Sequence, residues 1–355
     1  MASTPSLKTR HLKLILTAWA LLLIVILVLG ELLARAFYAL QPTAPPPYNT
    51  ALPDGHYGWR CKPNYHFEGE MTDAAGLAYP VRYTTDSRGF RVYGQAAPVA
   101  DAPVVWFIGD SYTQAVEVSD EATFYARAAA QFPMHLYASG MSGWGNLQEY
   151  LWLDQHLDSI QPDIIIWQVC ANDCIDNYEP LAREAVYEVD ERRPYLRPDG
   201  TVYYSQDTVS LTRRLARFSS LFKALNAATG RIVQRLGLSR GAEYQMSRLG
   251  RAYLPYDSAQ HVTKAIFQHI QARIGPAVRL YLLDATDLPP THADWQMLGR
   301  ELGIPVIEAV PQGLRAAQAR GITVLARDGW HWNPAGHQVV ADSLVSFLRR
   351  QTPQQ

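Results

Sequence analysis

The stretch Val104-Val105-Trp106-Phe107-Ile108-Gly109-Asp110-Ser111-Tyr112-Thr113 constrains this chain most. An apolar run that breaks at a glycine and delivers a serine is how a buried strand presents a nucleophile. The unbroken apolar residues Val104 to Ile108 suit a central parallel strand covered on both faces. Gly109 then lets the backbone turn sharply at the strand's carboxyl end, the edge at which open α/β sheets bind their ligands.

Downstream the pattern alternates. Helix is expected from Glu121 to Gln131, strand from Met134 to Ala138 and helix from Gly145 to Ile160. The β-branched run Ile164 to Val169 reads as a second buried strand, and later strands are expected over Val278 to Leu283, Val306 to Val310 and Ile322 to Leu325. A closing helix starts with Asn333 as N-cap and Pro334 at its first position and runs to about Arg350. Strand alternating with helix predicts an α/β fold with a doubly wound sheet.

A serine at its free pKa attacks poorly, so Ser111 needs a base and a group that orients the base. Asp328-Gly329-Trp330-His331 supplies both: a carboxylate three residues before a histidine can accept the Nδ1 proton and leave Nε2 for the serine. Two further segments follow predicted strands, Ser139-Gly140-Met141-Ser142-Gly143 and Cys170-Ala171-Asn172-Asp173. Asp173 is expected to cap its loop, and His337, inside the closing helix, to be structural.

Taken in order, Gly109-Asp110-Ser111, the Gly140 to Gly143 segment, Ala171-Asn172-Asp173 and Asp328-x-x-His331 resemble the sequence blocks of the SGNH (GDSL-type) hydrolase family, and Gly58-Trp59-Arg60-Cys61-Lys62-Pro63-Asn64 and Asp86-Ser87-Arg88-Gly89-Phe90-Arg91 resemble segments that precede the catalytic block in its membrane-anchored bacterial members. The resemblance covers about Val104 to Arg350. It implies a flavodoxin-like three-layer α/β/α sandwich with a mostly parallel sheet and a shallow site acting on esters. Ser111 would be the nucleophile, His331 the base and Asp328 its orienter. The oxyanion would be met by the Ser111 N–H, the Gly143 N–H and the Asn172 side-chain amide. Cys170 stands where the family usually has glycine, which bears on the conformation of that loop. No metal and no organic cofactor are implied.

The flanks place this domain. Leu14 to Gly30 carries no charge, and residues 14–33 are read as a transmembrane anchor. Lys8, Arg10 and Lys13 precede it, so residues 1–13 are expected in the cytoplasm and the catalytic part outside, in the periplasm of a single-pass inner-membrane protein. Ala34-Arg35-Ala36 could pass for a cleavage site. The apolar run exceeds the roughly 7 to 15 residues of a signal-peptide core, however, which favours an uncleaved anchor. Residues 34–56 are read as a proline-rich linker, 57–100 as a small β-rich lead-in with Gly89 in a turn, and 101–352 as the hydrolase domain with an insertion at about 174–275. That insertion is expected to hold a hairpin around Pro198-Asp199-Gly200 and a helix with Leu211, Leu215, Phe218, Phe222 and Leu225 on one stripe. The flanking Arg213, Arg214, Arg217 and Lys223 are read as a solvated face.

A net charge of −1 leaves no basic surplus for phosphates, so nucleic acid is not an expected partner. Cys61, Cys170 and Cys174 show no metal-binding spacing and are read as buried free thiols. The partners expected are therefore a membrane, through the amino-terminal helix, and an acyl ester of a carbohydrate or lipid, acetyl esters among them. The leading reading is a serine esterase. An O-acyltransferase modifying an envelope or exopolysaccharide with the same residues is the alternative, and a non-catalytic glycan-binding protein the second.

Overall fold

Side-chain alternation along one strand sets up the core. Val105 and Phe107 join one apolar cluster, Trp106 and Ile108 the other, and all four are fully buried. A strand covered on both faces is central, as its unbroken apolar run requires. The structure is a computed structural model describing residues 7–40, 50–93, 101–185, 192–205, 215, 218–235 and 241–351.

The chain divides into two units, of which the larger comprises Pro45–Asp207 and Gly241–Gln355. Its main sheet contains β5 (Val104–Gly109), β6 (His135–Gly140), β7 (Ile164–Val169) and β10 (Arg279–Asp284), in the order β10-β7-β5-β6, every pair parallel. The first strand in sequence lies beside the second and third, the arrangement of flavodoxin-like sheets, whose sites sit at the carboxyl edge where the order reverses. One face is covered by the helices Phe124–Ala129, Ala309–Ala319 and Pro334–Gln351, the other by Asn146–Ile160, Leu254–Ile274 and Thr291–Leu302. This is the expected three-layer α/β/α sandwich around a parallel sheet.

Several boundaries differ from the sequence reading. Helix was expected unbroken from Glu121, but a 3₁₀ turn Asp120–Ala122 precedes Phe124–Ala129, because Thr123 is extended and caps the second segment by accepting from Ala126 N. Val306 makes only an isolated parallel bridge to Leu282 in place of a strand to Val310. Helix has already begun at Ala309, and Pro311 within it has no N–H to give a ladder. Leu325 likewise makes one antiparallel bridge, to Trp332. The expected insertion ends early: Leu254–Ile274 buries Ile266, Phe267 and Ile270 in the core, so it is the crossover helix leading into β10.

The lead-in begins sooner than expected. β1 (Ala51–Asp54) pairs antiparallel with β2 (Gly58–Cys61), so part of the segment read as linker is strand. Pro53 is tolerated there because this two-stranded ladder has free edges. Asp54 shapes the intervening turn by accepting from the His56 and Tyr57 N–H groups. β3 (His66–Thr72) and β4 (Ala78–Thr84) form a second ladder, and the expected turn follows, with Gly89 N donating to Asp86 O. In the insertion the expected hairpin is present, β8 (Pro194–Leu196) pairing with β9 (Val202–Tyr204). Cys61, Cys170 and Cys174 are buried free thiols.

Arg91 ties the lead-in to the nucleophile loop. Its buried guanidinium donates to Asp120 Oδ1 at 2.6 Å and to the carbonyls of Gln114, Ala115 and Val118 at 2.6, 2.8 and 2.7 Å. Removing it takes the donor from the Gln114 and Val118 carbonyls and the buried cation from Asp120, which keeps only Thr84 N and the half-exposed Arg82 at 3.5 Å. Arg91→Ala is expected to cost about 3 to 5 kcal/mol of stability, read in a thermal melt as a fall of roughly 10 °C. A lysine at this position restores only part, lacking the planar fork.

The smaller unit comprises Met1–Ala44 and Thr208–Arg240. The helix Leu7–Leu40 includes a stretch, Lys13–Leu40, long and apolar enough to cross a membrane. It runs past the expected end at residue 33, and Glu31 and Arg35 pair across one of its turns at 2.8 Å. Glu31 also accepts from Ser219 Oγ and from the backbone N–H groups of Ser220 and Leu221, so it caps the helix Ser220–Arg235. That cap at Ser219 interrupts the expected stripe, leaving Leu215 and Phe218 before the helix and Leu225 within it, all exposed. Leu211, Arg213, Arg214 and Arg217 lie outside the described residues, as does the proline-rich run 41–49.

Candidate active site

The carboxyl end of β5 is shaped by side chains that satisfy its backbone. Asp110 accepts from Tyr112 N at 3.1 Å, capping the short helix Ser111–Gln114. From the neighbouring strand, Gln168 Oε1 accepts from Asp110 N, Thr113 N and Thr113 Oγ1 at 3.1, 3.2 and 3.0 Å. This explains Gly109 differently from the sharp turn expected, since its φ is not left-handed. A Cβ there would fall 2.2 Å from Gln168 Oε1 and 2.6 Å from Thr113 Oγ1, so the glycine is required by close approach.

His331 and Asp328 arrive from the loop before the closing helix. Asp328 Oδ1 accepts from the Trp330 and His331 N–H groups at 2.9 and 3.1 Å, and its Oδ2 lies 2.5 Å from His331 Nδ1. His331 Nε2 lies 2.8 Å from Ser111 Oγ. The three residues expected to act together are thus joined in one relay, hydroxyl to imidazole to carboxylate. Tyr112 steadies the loop from beneath, donating its hydroxyl to Trp330 O at 3.0 Å with its ring centroid 5.0 Å from that of His331. Asn333 caps the helix as expected, accepting from Gly336 N. His337 has the structural part expected of it: its buried Nδ1 accepts from Phe124 N, and burial holds its pKa well below the ordinary imidazole value.

Burial alone would lower the pKa of His331. The carboxylates of Glu117 and then Asp328 outweigh it and raise the imidazole to about 9. Glu117 was not singled out by sequence. It is 3% exposed, with Oε1 3.4 Å from His331 Nδ1. The signal that could have found it is one acid in the apolar run Ala115-Val116-Glu117-Val118, six residues after the serine.

The two further segments carry the remaining candidates. Gly143 has φ +74°, in a turn closed by Trp144 N donating to Met141 O, and a side chain there would be strained. Its carbonyl accepts from Arg193 Nη2 at 2.8 Å. The Asn172 amide donates to Asp176 Oδ2 at 2.9 Å, and Asp176 pairs with the same Arg193 Nη2 at 3.0 Å. Asp176 is raised to about 6 by burial, against the pull of Arg193. Arg193 is buried, donates to Gln148 Oε1 and lies over the Trp59 ring. It comes from the insertion, and no spacing marked it out. The Cys170 thiol has Asp110 Oδ2 and Asn172 Oδ1 each at 3.0 Å, so it connects the nucleophile loop to the asparagine loop. Asp173 caps as expected, accepting from Cys170 N at 2.9 Å.

The lead-in supports these loops from below. Trp59 Nε1 donates to Ser142 O and Trp144 Nε1 to Trp59 O, while Gln114 reaches Thr50 Oγ1 and accepts from Ser142 N. Among the described residues, two sets of donors lie within 4.8 Å, Asp110-Cys170-Asp173 and Glu117-Asp328-His331. Both already bond within the set, thiol to carboxylate and imidazole to carboxylate.

Residues 105–344 match the family model described as GDSL-like Lipase/Acylhydrolase. Solved structures similar to the chain include an alpha/beta hydrolase enzyme from the metagenome of Lake Arreo, at 14% identity and TM-score 0.40, covering 71% of this chain and 97% of that one. A family 3 carbohydrate esterase from Clostridium thermocellum is 13% identical at TM-score 0.38, covering 71% and 99%. An acetylxylan esterase from Geobacillus stearothermophilus is 10% identical at TM-score 0.37, covering 73% and 97%. No curated protein matches the sequence.

Proposed function

We propose that this chain, which belongs to the GDSL-like lipase/acylhydrolase family, removes acyl groups from a carbohydrate outside the cytoplasmic membrane, with Ser111 as its nucleophile. It is a serine hydrolase acting on ester bonds. The observation that carries the residue assignment is the relay: Nε2 of His331 is 2.8 Å from Ser111 Oγ while Nδ1 is held by Asp328.

In this reading Ser111 Oγ attacks the ester carbonyl as its proton passes to His331 Nε2. The carbonyl oxygen becomes an oxyanion, met by the N–H groups of Ser111 and Gly143 and by the second amide hydrogen of Asn172, the first being engaged by Asp176. The tetrahedral carbon then expels the alkoxide oxygen, which takes the Nε2 proton and leaves as the alcohol. Water repeats the sequence on the acyl-serine, regenerating the hydroxyl and releasing the acid. Asp328 stays ionised throughout and keeps the Nδ1 proton in place.

Trp330 supports a carbohydrate over a lipid. It stands beside His331 on the same loop with an indole 54% exposed, a flat ring whose negative face suits the C–H face of a sugar. Lys8, Arg10 and Lys13 ahead of the uncharged run Leu14 to Gly30 support a single-pass inner-membrane protein with the catalytic unit in the periplasm.

The test is covalent. A fluorophosphonate probe is expected to add once to the full-length protein, on the peptide containing Ser111. With an activated acetyl ester and a glycan acceptor, acetate is expected as the product. Acetylated glycan would point to the transferase, and a protein that never labels beside a reacting control esterase would sink the assignment.

A further inference from the structure

The imidazole of His331 faces two carboxylates where the relay needs one. Asp328 belongs to a surface loop and its side chain is 33% exposed, so water screens it. Glu117 follows the nucleophile helix, and its side chain is 4% exposed. Its Oε1 approaches the same ring nitrogen, Nδ1, at 3.4 Å. At that separation in a buried setting an anion acts on an imidazolium far more strongly than across solvent.

We propose that Glu117 is a positioning residue for the hydrolase reaction: its buried carboxylate backs His331 on the Nδ1 side, fixing the ring and stabilising the imidazolium that forms as Ser111 gives up its proton. This rests on the reading of Ser111 and His331 given above. The Nδ1 proton stays on nitrogen throughout. The proton in transit moves from Ser111 Oγ to Nε2 and on to the departing alcohol, and neither carboxylate takes it up.

Charge accounting supports the assignment. Burial raises the Glu117 carboxyl above its ordinary range, and His331 is the largest influence pulling it back down, ahead of Arg91. Arg91 is committed to Asp120 and to the carbonyls of residues 114, 115 and 118. Glu117 as an anion and His331 as a cation therefore favour each other, which is the state needed midway through the reaction. The charged groups bearing on His331 are Glu117, Asp328 and Asp110, and those bearing on Glu117 are His331, Asp328 and Arg91.

The test compares wild type, Glu117→Gln and Glu117→Asp as full-length protein, measuring kcat and KM on an activated acetyl ester across pH. Removing the anion lowers the imidazolium's pKa, so neutral His331 persists to lower pH. The acid limb of kcat/KM in Glu117→Gln is expected to move down by about one pH unit. Its plateau kcat should fall about tenfold with KM little changed, because the lost interaction matters most in the transition state. Glu117→Asp, which keeps the charge at longer range, should lie between the two and serves if the glutamine variant fails to fold. A limb unmoved in the folded variants overturns the proposal, whether or not kcat falls. Failure of the underlying reading looks different: wild type itself would not label at Ser111.

Discussion

Ser111→Ala is expected to abolish fluorophosphonate labelling and to lower ester turnover by about 10⁵- to 10⁶-fold, the loss met when a relay loses its nucleophile. The magnitude follows from what stays behind. Without the hydroxyl there is no acyl-enzyme, and the remaining oxyanion donors can assist only direct attack by water. The change should leave the fold alone. The side chain of Ser111 is bonded to His331 Nε2 on a part-buried edge, while the caps that hold its helix come from Asp110 and Gln168. Thermal unfolding is therefore expected within about 2 °C of wild type, as for a surface change worth under ±0.5 kcal/mol. His331→Ala should lose turnover comparably. Asp328→Asn should lose less than either, since Glu117 still faces Nδ1 at 3.4 Å. Turnover by Ser111→Ala within tenfold of wild type would show that some other group attacks.

Much of this site was legible because its information is local in sequence. An apolar run ending in glycine and serine, or a carboxylate three residues before a histidine, encodes its geometry within one loop. The helix start at Asn333 works the same way, as the side chain accepts from Gly336 N. The sheet was legible where strands are buried on both faces, as in β5 and β7, whose side chains are apolar in both directions but for Gln168 at the carboxyl edge of β7. It was not legible at residues 306–310, where helix begins almost as soon as Val306 has bridged to Leu282. Periodicity also failed to separate the crossover helix Leu254–Ile274 from the insertion before it, since both contain apolar stripes and only packing against the sheet distinguishes them. Glu117, Gln168 and Arg193 escaped for another reason. Each acts through a partner brought near by the fold, and a lone polar residue carries no mark of the partner it will meet.

Arg193 leads to the second large effect. Arg193→Met is expected to lower kcat by about 10² to 10³ while KM stays within a few-fold, because the oxyanion it helps to accommodate exists only in the transition state. One nitrogen, Nη2, holds the Gly143 carbonyl at 2.8 Å and the Asp176 carboxylate at 3.0 Å, and Asp176 in turn holds the Asn172 amide. Both proposed side donors of the oxyanion hole are therefore set by one guanidinium. Lysine should restore only part of the rate, because one ammonium can meet the Gly143 carbonyl and Asp176 but lacks the second nitrogen that holds the head group on Gln148 Oε1. Stability should also fall, by about 3 to 5 kcal/mol, as a buried carboxylate loses its partner. The pH dependence gives the sign. Burial already raises Asp176 to about 6 despite Arg193, and without the arginine its pKa rises further. The stability deficit is therefore smallest in mild acid, where Asp176 is neutral, and grows as pH rises through its raised pKa. A double variant with Asn172→Ala separates the two effects: if Arg193 works by placing that amide, the combined loss in kcat falls well short of the product of the single losses. Multiplicative losses, or a folded Arg193→Met with wild-type kcat, would leave the arginine a structural tie only.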